Sequence, residues 1–269
     1  MTRLTLNIQS NYPLEAEAIT PEKFSGKSVA EIAGLPVLYG NEQCQIGDFF
    51  TVNGNGSEGI ELEGDLAHVK YIGAGMRQGK ITIHGNAGMH LGAQIHGGEI
   101  EVHGNTGDWA GAEMTGGTIR IHGNAGHGLG GAYRGSRHGM NRGFIWVGGN
   151  TGNETGALMR RGLIVVQGRT GDFTGAFMLA GTVINFGGLG SRPGAGMKYG
   201  TLVTYQEPEL LPTFHYDCVY QPGFLRLILN DLRRRGVSVA DELVGGNYRR
   251  YSGDFTSLGK GEILVYDQH

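Results

Sequence analysis

The chain has 269 residues, of which 51 are glycine, seven are proline and two are cysteine, and its formal net charge at pH 7 is −3. That length holds one large or two modest domains. Abundant glycine without a Gly-X-Y period, and with little proline, excludes collagen and Pro-rich disorder. The mild negative charge gives no reason to expect a nucleic-acid partner, and Cys44 and Cys218 are too far apart for a disulfide framework or a cysteine zinc site, which suits a reducing cytosol.

The first residues, MTRLTLNIQS, lack an apolar signal region, and no apolar run approaches the roughly 20 residues that cross a bilayer. A soluble, cytoplasmic protein is expected. Residues 1–59 carry a strand over Leu4–Ile8 and a short helix after Ser28, and are expected to form an N-terminal cap. From Ile60 the chain repeats itself. Units start at Ile60, Ile81, Ile100, Ile119, Ile145, Ile164 and Val183, with Leu202 opening a partial eighth, at spacings of 21, 19, 19, 26, 19, 19 and 19. A fixed period of this size marks a solenoid, whose units cannot bury their apolar side alone.

Each unit reads strand, turn, strand, turn. Apolar residues at positions 1 and 3, such as Ile100 and Val102, share one face of a strand. An Asn-x-Gly turn follows, as in Asn86–Gly88 and Asn105–Gly107, where tolerance of positive φ is the expected reason for both residue types. A second alternating run, such as Leu91-Ala93-Ile95 or Thr174-Ala176-Met178, reads as a second strand, and a glycine closes the unit. The fold expected is all-β: a right-handed parallel β-helix of about seven coils over 60–203, with a ladder of methionines at 76, 114, 140, 159, 178 and 197. A hexapeptide subperiod is absent, and only Asp108 and Asp172 could serve calcium-binding turns, so neither rival solenoid fits. Asn185 in an aliphatic position predicts that the core ends there. Residues 204–269, with a helix over 222–236, are expected to form an α+β cap.

Few residues point to chemistry. His84, His103 and His122 take position 4 of three successive units and should stack outward, with no carboxylate at a matching position to complete a metal site. Cys44 and Cys218 lack an activating partner, Glu113, Asp108 and Asp172 lack a paired spacing, and the glycine turns open no helix as a phosphate cradle would. The unit starting at Ile119 is seven residues longer than its neighbours, and the excess carries Arg134, Arg137, His138 and Arg142. Arg77, Arg160, Arg161 and Lys198 follow the methionine position of other units, so stacking should gather a basic edge suited to carboxylates. No catalytic residue and no metal ligand is assigned.

The GNxGxxxGAxMxxG units, with YRGSRHGMNRG at 133–143, resemble the C subunit of formylmethanofuran dehydrogenase, and more closely the C subunit of the bacterial formyltransferase/hydrolase complex. The same coils resemble the glycine-rich C-terminal β-helix domain of glutamate synthase. The tails LPTFHYDCVYQPGFLRLILNDLRRRG and YRRYSGDFTSLGKGEILV favour the bacterial complex. That resemblance implies a complex that moves a formyl group from formyl-tetrahydromethanopterin to a methanofuran-type carrier and hydrolyses the product to formate, in formaldehyde oxidation. It further implies a non-catalytic chain that binds no cofactor itself and packs with the A, B and D subunits, where the carrier and metals reside. The poly-glutamyl tail of the carrier, or acidic surface on a partner, would meet the basic edge. Two alternatives stand beside this: the C subunit of a tungsten or molybdenum formylmethanofuran dehydrogenase, and a stand-alone binding protein using a coil face.

Overall fold

The computed structural model describes residues 1–7, 12–54, 56 and 58–267. The unit starts seen in the sequence form one ladder. Ile60, Ile81, Ile100, Ile119, Ile145, Ile164, Val183 and Leu202 pair in that order, strand on strand, in parallel register. The register holds across the long unit, where Ile119 still meets Ile145, so the seven extra residues leave the stack elsewhere. Side chains at positions 1 and 3 are at most 1% exposed in every one of these strands. A short alternating strand can bury only one face, and stacking identical faces in register buries all of them at once.

A second line of pairing links Leu66, Ala87, Thr106, Ala125 and Thr151, one residue per unit. The Asn-x-Gly turn lies just before it, and its chemistry differs from expectation. None of Asn86, Asn105, Asn124 or Asn150 has positive φ. Each instead accepts, through its side-chain oxygen, the backbone N–H of the equivalent residue one unit on: Asn105 to Asn86 at 2.9 Å, Asn124 to Asn105 at 2.8 Å, Asn150 to Asn124 at 2.7 Å and Arg169 to Asn150 at 2.7 Å. The partner glycine is required by close approach, not by φ: a Cβ on Gly107 would stand 2.9 Å from the Met89 nitrogen.

Among the described residues the second run of each unit is not a strand. Instead every second residue takes positive φ: His90, Gly92 and Gln94 in one unit, Trp109, Gly111 and Glu113 in the next, Phe173, Gly175 and Phe177 further on. Their amides bond to both neighbours in turn, His90 forward to the Asp108 carbonyl (2.8 Å), Gly92 back to Ile72 (2.8 Å), Gln94 forward to Ala112 (2.7 Å). The period of two is real, since Leu91, Ala93 and Ile95 are buried. It arises from alternating backbone hand, which yields the same alternation as an extended strand. The methionine position is a buried ladder as expected, with Ile95 filling the unit that lacks methionine.

Both ends join the main sheet, which has thirteen strands among the described residues. Thr2–Leu6 pairs in parallel with Gly59–Glu63 and antiparallel with Phe50–Asn53. It corresponds to the strand expected over Leu4–Ile8, whose Ile8 lies outside the described residues. Ser28 caps the helix Val29–Ala33, with Glu31 closing a reciprocal capping box. At the other end the core does not stop at Asn185. That side chain is fully buried, its amide donating to the Gly168 carbonyl (2.8 Å) and its oxygen accepting from Gly188 N (2.5 Å). The inward ladder continues through Leu202 to Ile263, where Thr201–Thr204 pairs in parallel with Gly261–Tyr266, followed by Tyr248–Gly253 and His215–Tyr220.

The helix Gly223–Arg234 covers the outer face of the last strands, placing Leu225, Leu229 and Leu232 in one cluster with Val165, Ile184, Val203 and Leu264. Phe224, apolar and at helical spacing from Ile228, stays 39% exposed, and Ile228 packs only in part. Where no helix covers the sheet, that outer face is polar: Glu61, Thr82, Glu101, Arg120. In urea denaturation, Ile119→Ala should cost about 2–5 kcal/mol through the cavity it leaves. Asn105→Ala should cost about 1 kcal/mol, because water reaches the orphaned amide. Equal costs would contradict the division of labour between core ladder and corner ladder.

Candidate functional site

The basic edge starts where each unit leaves the methionine position. There the next N–H bonds to the carbonyl of the same position one unit back: His96 to Met76, Thr115 to Ile95, Asn141 to Met114, Arg160 to Met140, Leu179 to Met159 and Lys198 to Met178, each at 2.8 Å. Arg77, Arg160 and Lys198 therefore stand in one column, and Arg142 and Arg161 in the column beside it. At a rise of about 4.8 Å per unit, Lys198 is roughly 10 Å from Arg160, and Arg77 roughly 19 Å away on the other side.

The structure thus brings together only part of the predicted set. Arg142 and Arg161 occupy adjacent rungs, and Arg160 reaches back to the loop, its Nη1 standing 3.4 Å from His138 Nε2. Arg134 and Arg137 are exposed on the same loop. Arg77 sits apart, next to the N-terminal segment, where Glu22 Oε1 accepts from its backbone N–H at 2.5 Å and from that of Gln78 at 2.8 Å. All eight side chains are exposed, and among the described residues none of them enters an ion pair. Unpaired cations on neighbouring rungs repel one another, and an anionic partner relieves that repulsion.

The loop is anchored by residues that sequence reading missed. Tyr71 and His90 stack at 4.5 Å, and the Tyr133 hydroxyl hydrogen-bonds His90 Nδ1 at 2.8 Å while its ring leans on Trp109. The backbone N–H of Tyr133 donates to Glu113 Oε1 (3.2 Å), whose other oxygen accepts from Gln94 (3.0 Å). Burial pushes the Tyr133 phenol above its ordinary range and the His90 imidazole below its own. Burial alone would raise the Glu113 carboxyl too, but hydrogen bonds from Gln94, Ser136 and Tyr133 N hold it low. The signal was present in the sequence: His90 and Trp109 each stand four residues after the ladder asparagine. Tyr133→Phe should release the loop, raising trypsin cleavage after Arg134 and Arg137 about fivefold, the value of one hydrogen bond of about 1 kcal/mol. Unaltered cleavage would show that the hydroxyl does not hold it.

The histidine column lies on the uncovered outer face of the sheet. His84 and His103 stack with centroids 5.3 Å apart, His103 and His122 at 5.1 Å, and Trp146 closes the column edge-on at 5.3 Å. A carboxylate does reach it, contrary to the sequence expectation. Glu101, on the strand before, lies 3.2 Å from His122 Nε2 and 2.9 Å from Lys80 Nζ. Among the described residues no group of three or more His, Cys, Asp or Glu is placed to hold a metal ion. The hydrogen bond from Lys80, and after it that from His122, holds the Glu101 carboxyl below its usual range. A depressed carboxyl contributes stability above its unfolded pKa and loses it as pH falls through the folded one. Wild type should therefore lose more stability than Glu101→Gln between about pH 5 and about pH 3 in urea titrations. Parallel curves would count against the pair.

Comparison with known proteins places this architecture. The GXGXG motif model matches residues 41–216. The chain belongs to that family. It is also a homologue of the formylmethanofuran dehydrogenase C subunits. The C subunit of the tungsten-containing formylmethanofuran dehydrogenase 2 of Methanothermobacter marburgensis is 40% identical over 93 residues, 33% of this chain and 34% of the relative. The C subunit of the molybdenum-containing formylmethanofuran dehydrogenase 1 of Methanosarcina barkeri is 45% identical over 83 residues, 29% of this chain and 28% of the relative. These matches span about a third of the length of the curated relatives. A chain in the crystal structure of the formyltransferase/hydrolase complex (FhcABCD) from Methylorubrum extorquens, in complex with methylofuran, superposes with a TM-score of 0.93 and 36% identity. That superposition covers 99% of this chain and 100% of the other. The likeness read from the repeated units and the tail is borne out. Among the described residues no helix is long and apolar enough to cross a membrane.

Proposed function

We propose that the chain is a non-catalytic structural subunit of a cytoplasmic formyltransferase/hydrolase assembly. The observation that carries this reading is the full-length match to a chain of such a complex, 36% identical over nearly all of both chains. In this reading residues 60–203 form a right-handed parallel β-helix, and 1–59 and 204–269 cap its ends. The pairing of each unit with the next, along the strand ladder and the bridge ladder, supports it. A stack held by registered hydrogen bonds is stiff, so it fixes the separation of neighbours that carry the active sites. Those neighbours are the A, B and D chains, which pass a formyl group from formyl-tetrahydromethanopterin to a methanofuran-type carrier and then to formate. Cofactors and metals belong to the partners, and this chain contributes no reacting group.

The basic edge would meet the poly-glutamyl tail of the carrier or acidic surface on a neighbour, and a tethered carrier gains effective concentration without new chemistry. A second reading, the C subunit of a tungsten or molybdenum formylmethanofuran dehydrogenase, draws on the names of the curated relatives. Isolation of the native assembly separates the two. Co-purifying A, B and D chains without a metal pterin support the first, and a bound tungsten or molybdenum pterin the second. Arg134→Ala with Arg137→Ala should lower either formyl turnover or complex recovery severalfold, since a charge-assisted contact is worth about 1.5–3 kcal/mol. Normal values for both would remove the basic edge from the mechanism, and formyl hydrolysis by the purified chain alone would end the structural reading.

A further inference from the structure

Two bulky side chains stand where neither folding nor solubility favours them. Phe177 has φ +54° and is 61% exposed, and Leu158, its counterpart one unit earlier, has φ +57°. Their backbones are linked directly, Leu158 N donating to the Ala176 carbonyl at 2.8 Å. Positive φ strains any residue with a Cβ by about 1–2 kcal/mol relative to glycine. The Phe177 ring approaches the next unit at Gly196, where a Cβ would stand 2.6 Å from Phe177 Cδ1, and the rest of the side chain is left largely exposed. Phe173, at φ +60° in the same unit, carries the Arg192 guanidinium 5.4 Å from its centroid. Tyr71, His90 and Trp109, which share the row of Phe173, take the same strained conformation, and the Tyr133 loop packs on His90 and Trp109. In the row of Phe177 itself the same two units carry the polar Gln94 and Glu113. Around Phe177 no such cover exists among the described residues.

Exposed cations border the ridge at Arg160, Arg161 and Lys198, while the nearby Asp254 is buried and engaged, accepting from Gly196 N at 2.9 Å. Asp172 accepts from Ser191 N at 2.9 Å. Arg160 and Arg161 follow directly on Leu158 and Met159, and Lys198 N bonds to the Met178 carbonyl beside Phe177. An exposed apolar ridge with a basic border matches one kind of occupant.

We propose that the Leu158–Phe177 ridge docks a partner protein chain presenting an apolar pocket rimmed by Asp and Glu carboxylates. Phe177 is the anchor, because an aromatic ring buried in a pocket concentrates binding energy while the charged border orients the approach. The inference rests on the subunit reading above and names the surface through which that role is exercised.

The test exploits the backbone. Leu158→Gly with Phe177→Gly relieves strain at both positions, so thermal unfolding of the full chain should occur within a few degrees of wild type. Binding to the chains that co-purify with tagged wild type, identified by mass spectrometry and then titrated in purified form, should weaken at least about tenfold. Arg160→Glu with Arg161→Glu should weaken it as well, and about 0.5 M salt should abolish most of the difference from wild type. Should the glycine pair unfold, Phe177→Asn replaces it, since asparagine tolerates this conformation. Undiminished binding by a folded ridge variant overturns the docking face and leaves the subunit reading intact. Wild-type chain that purifies alone removes both. Self-association of the chain that the ridge variants abolish, with other chains still bound normally, assigns the surface to a second copy and overturns the proposal.

Discussion

A unit of nineteen residues has too little apolar surface to close on itself, and its backbone donors and acceptors point along the stack, not across it. Each unit is therefore complete only when its neighbours supply carbonyls, amides and a matching apolar face. Register is what makes this work. If one unit slipped by a single residue, the Ile and Val of its strand would turn outward and its asparagine would lose its amide partner. Three independent rows enforce the same alignment: the strand pairing, the bridge residues and the asparagine side chains. Glycine is abundant because these rows approach so closely that a Cβ has nowhere to go, as at Gly107.

The ends solve the same problem by different means. An uncovered terminal unit would offer its edge to any passing strand. The first unit is covered by Thr2–Leu6, followed by an antiparallel neighbour, and the last by Gly261–Tyr266, followed by two more antiparallel strands. The C-terminal segment does a second job through its helix, which buries the outer face of the late strands. That leaves two unlike outer surfaces on one sheet: a polar one bearing stacked imidazoles, and an apolar one sealed by Leu225, Leu229 and Leu232.

The repeat, its strand ladder and its methionine row were legible because period and hydrophobicity carry them. The alternating-hand segment was misread because it produces the same period of two as a strand, and only hydrogen-bond direction separates them. Asn185 read as the end of the core because a polar side chain looks unburiable until its two partners, Gly168 and Gly188, are known. The helix-covered face went unread, although FIWV, LIVV and TVIN carry its signal: polar alternation fails there, as it must in a strand buried on both sides. Of the basic set, the loop and its neighbouring rungs converge, while Arg77 is separated by distance along the stack. The Tyr133 anchor escaped because it joins residues from three units through an insertion whose path no period describes.

That insertion carries a wider lesson about how such a molecule can change. Seven additional residues enter within the alternating-hand segment, between Gly131 and Gly139, yet the strands before and after meet as though nothing intervened. The entropic penalty of lengthening a surface excursion grows only logarithmically with its size. Such a segment is thus free to acquire new reach by duplication or deletion of short stretches, while the rows around it keep their alignment. A scaffold of this kind lets recognition drift quickly on a chassis that hardly moves.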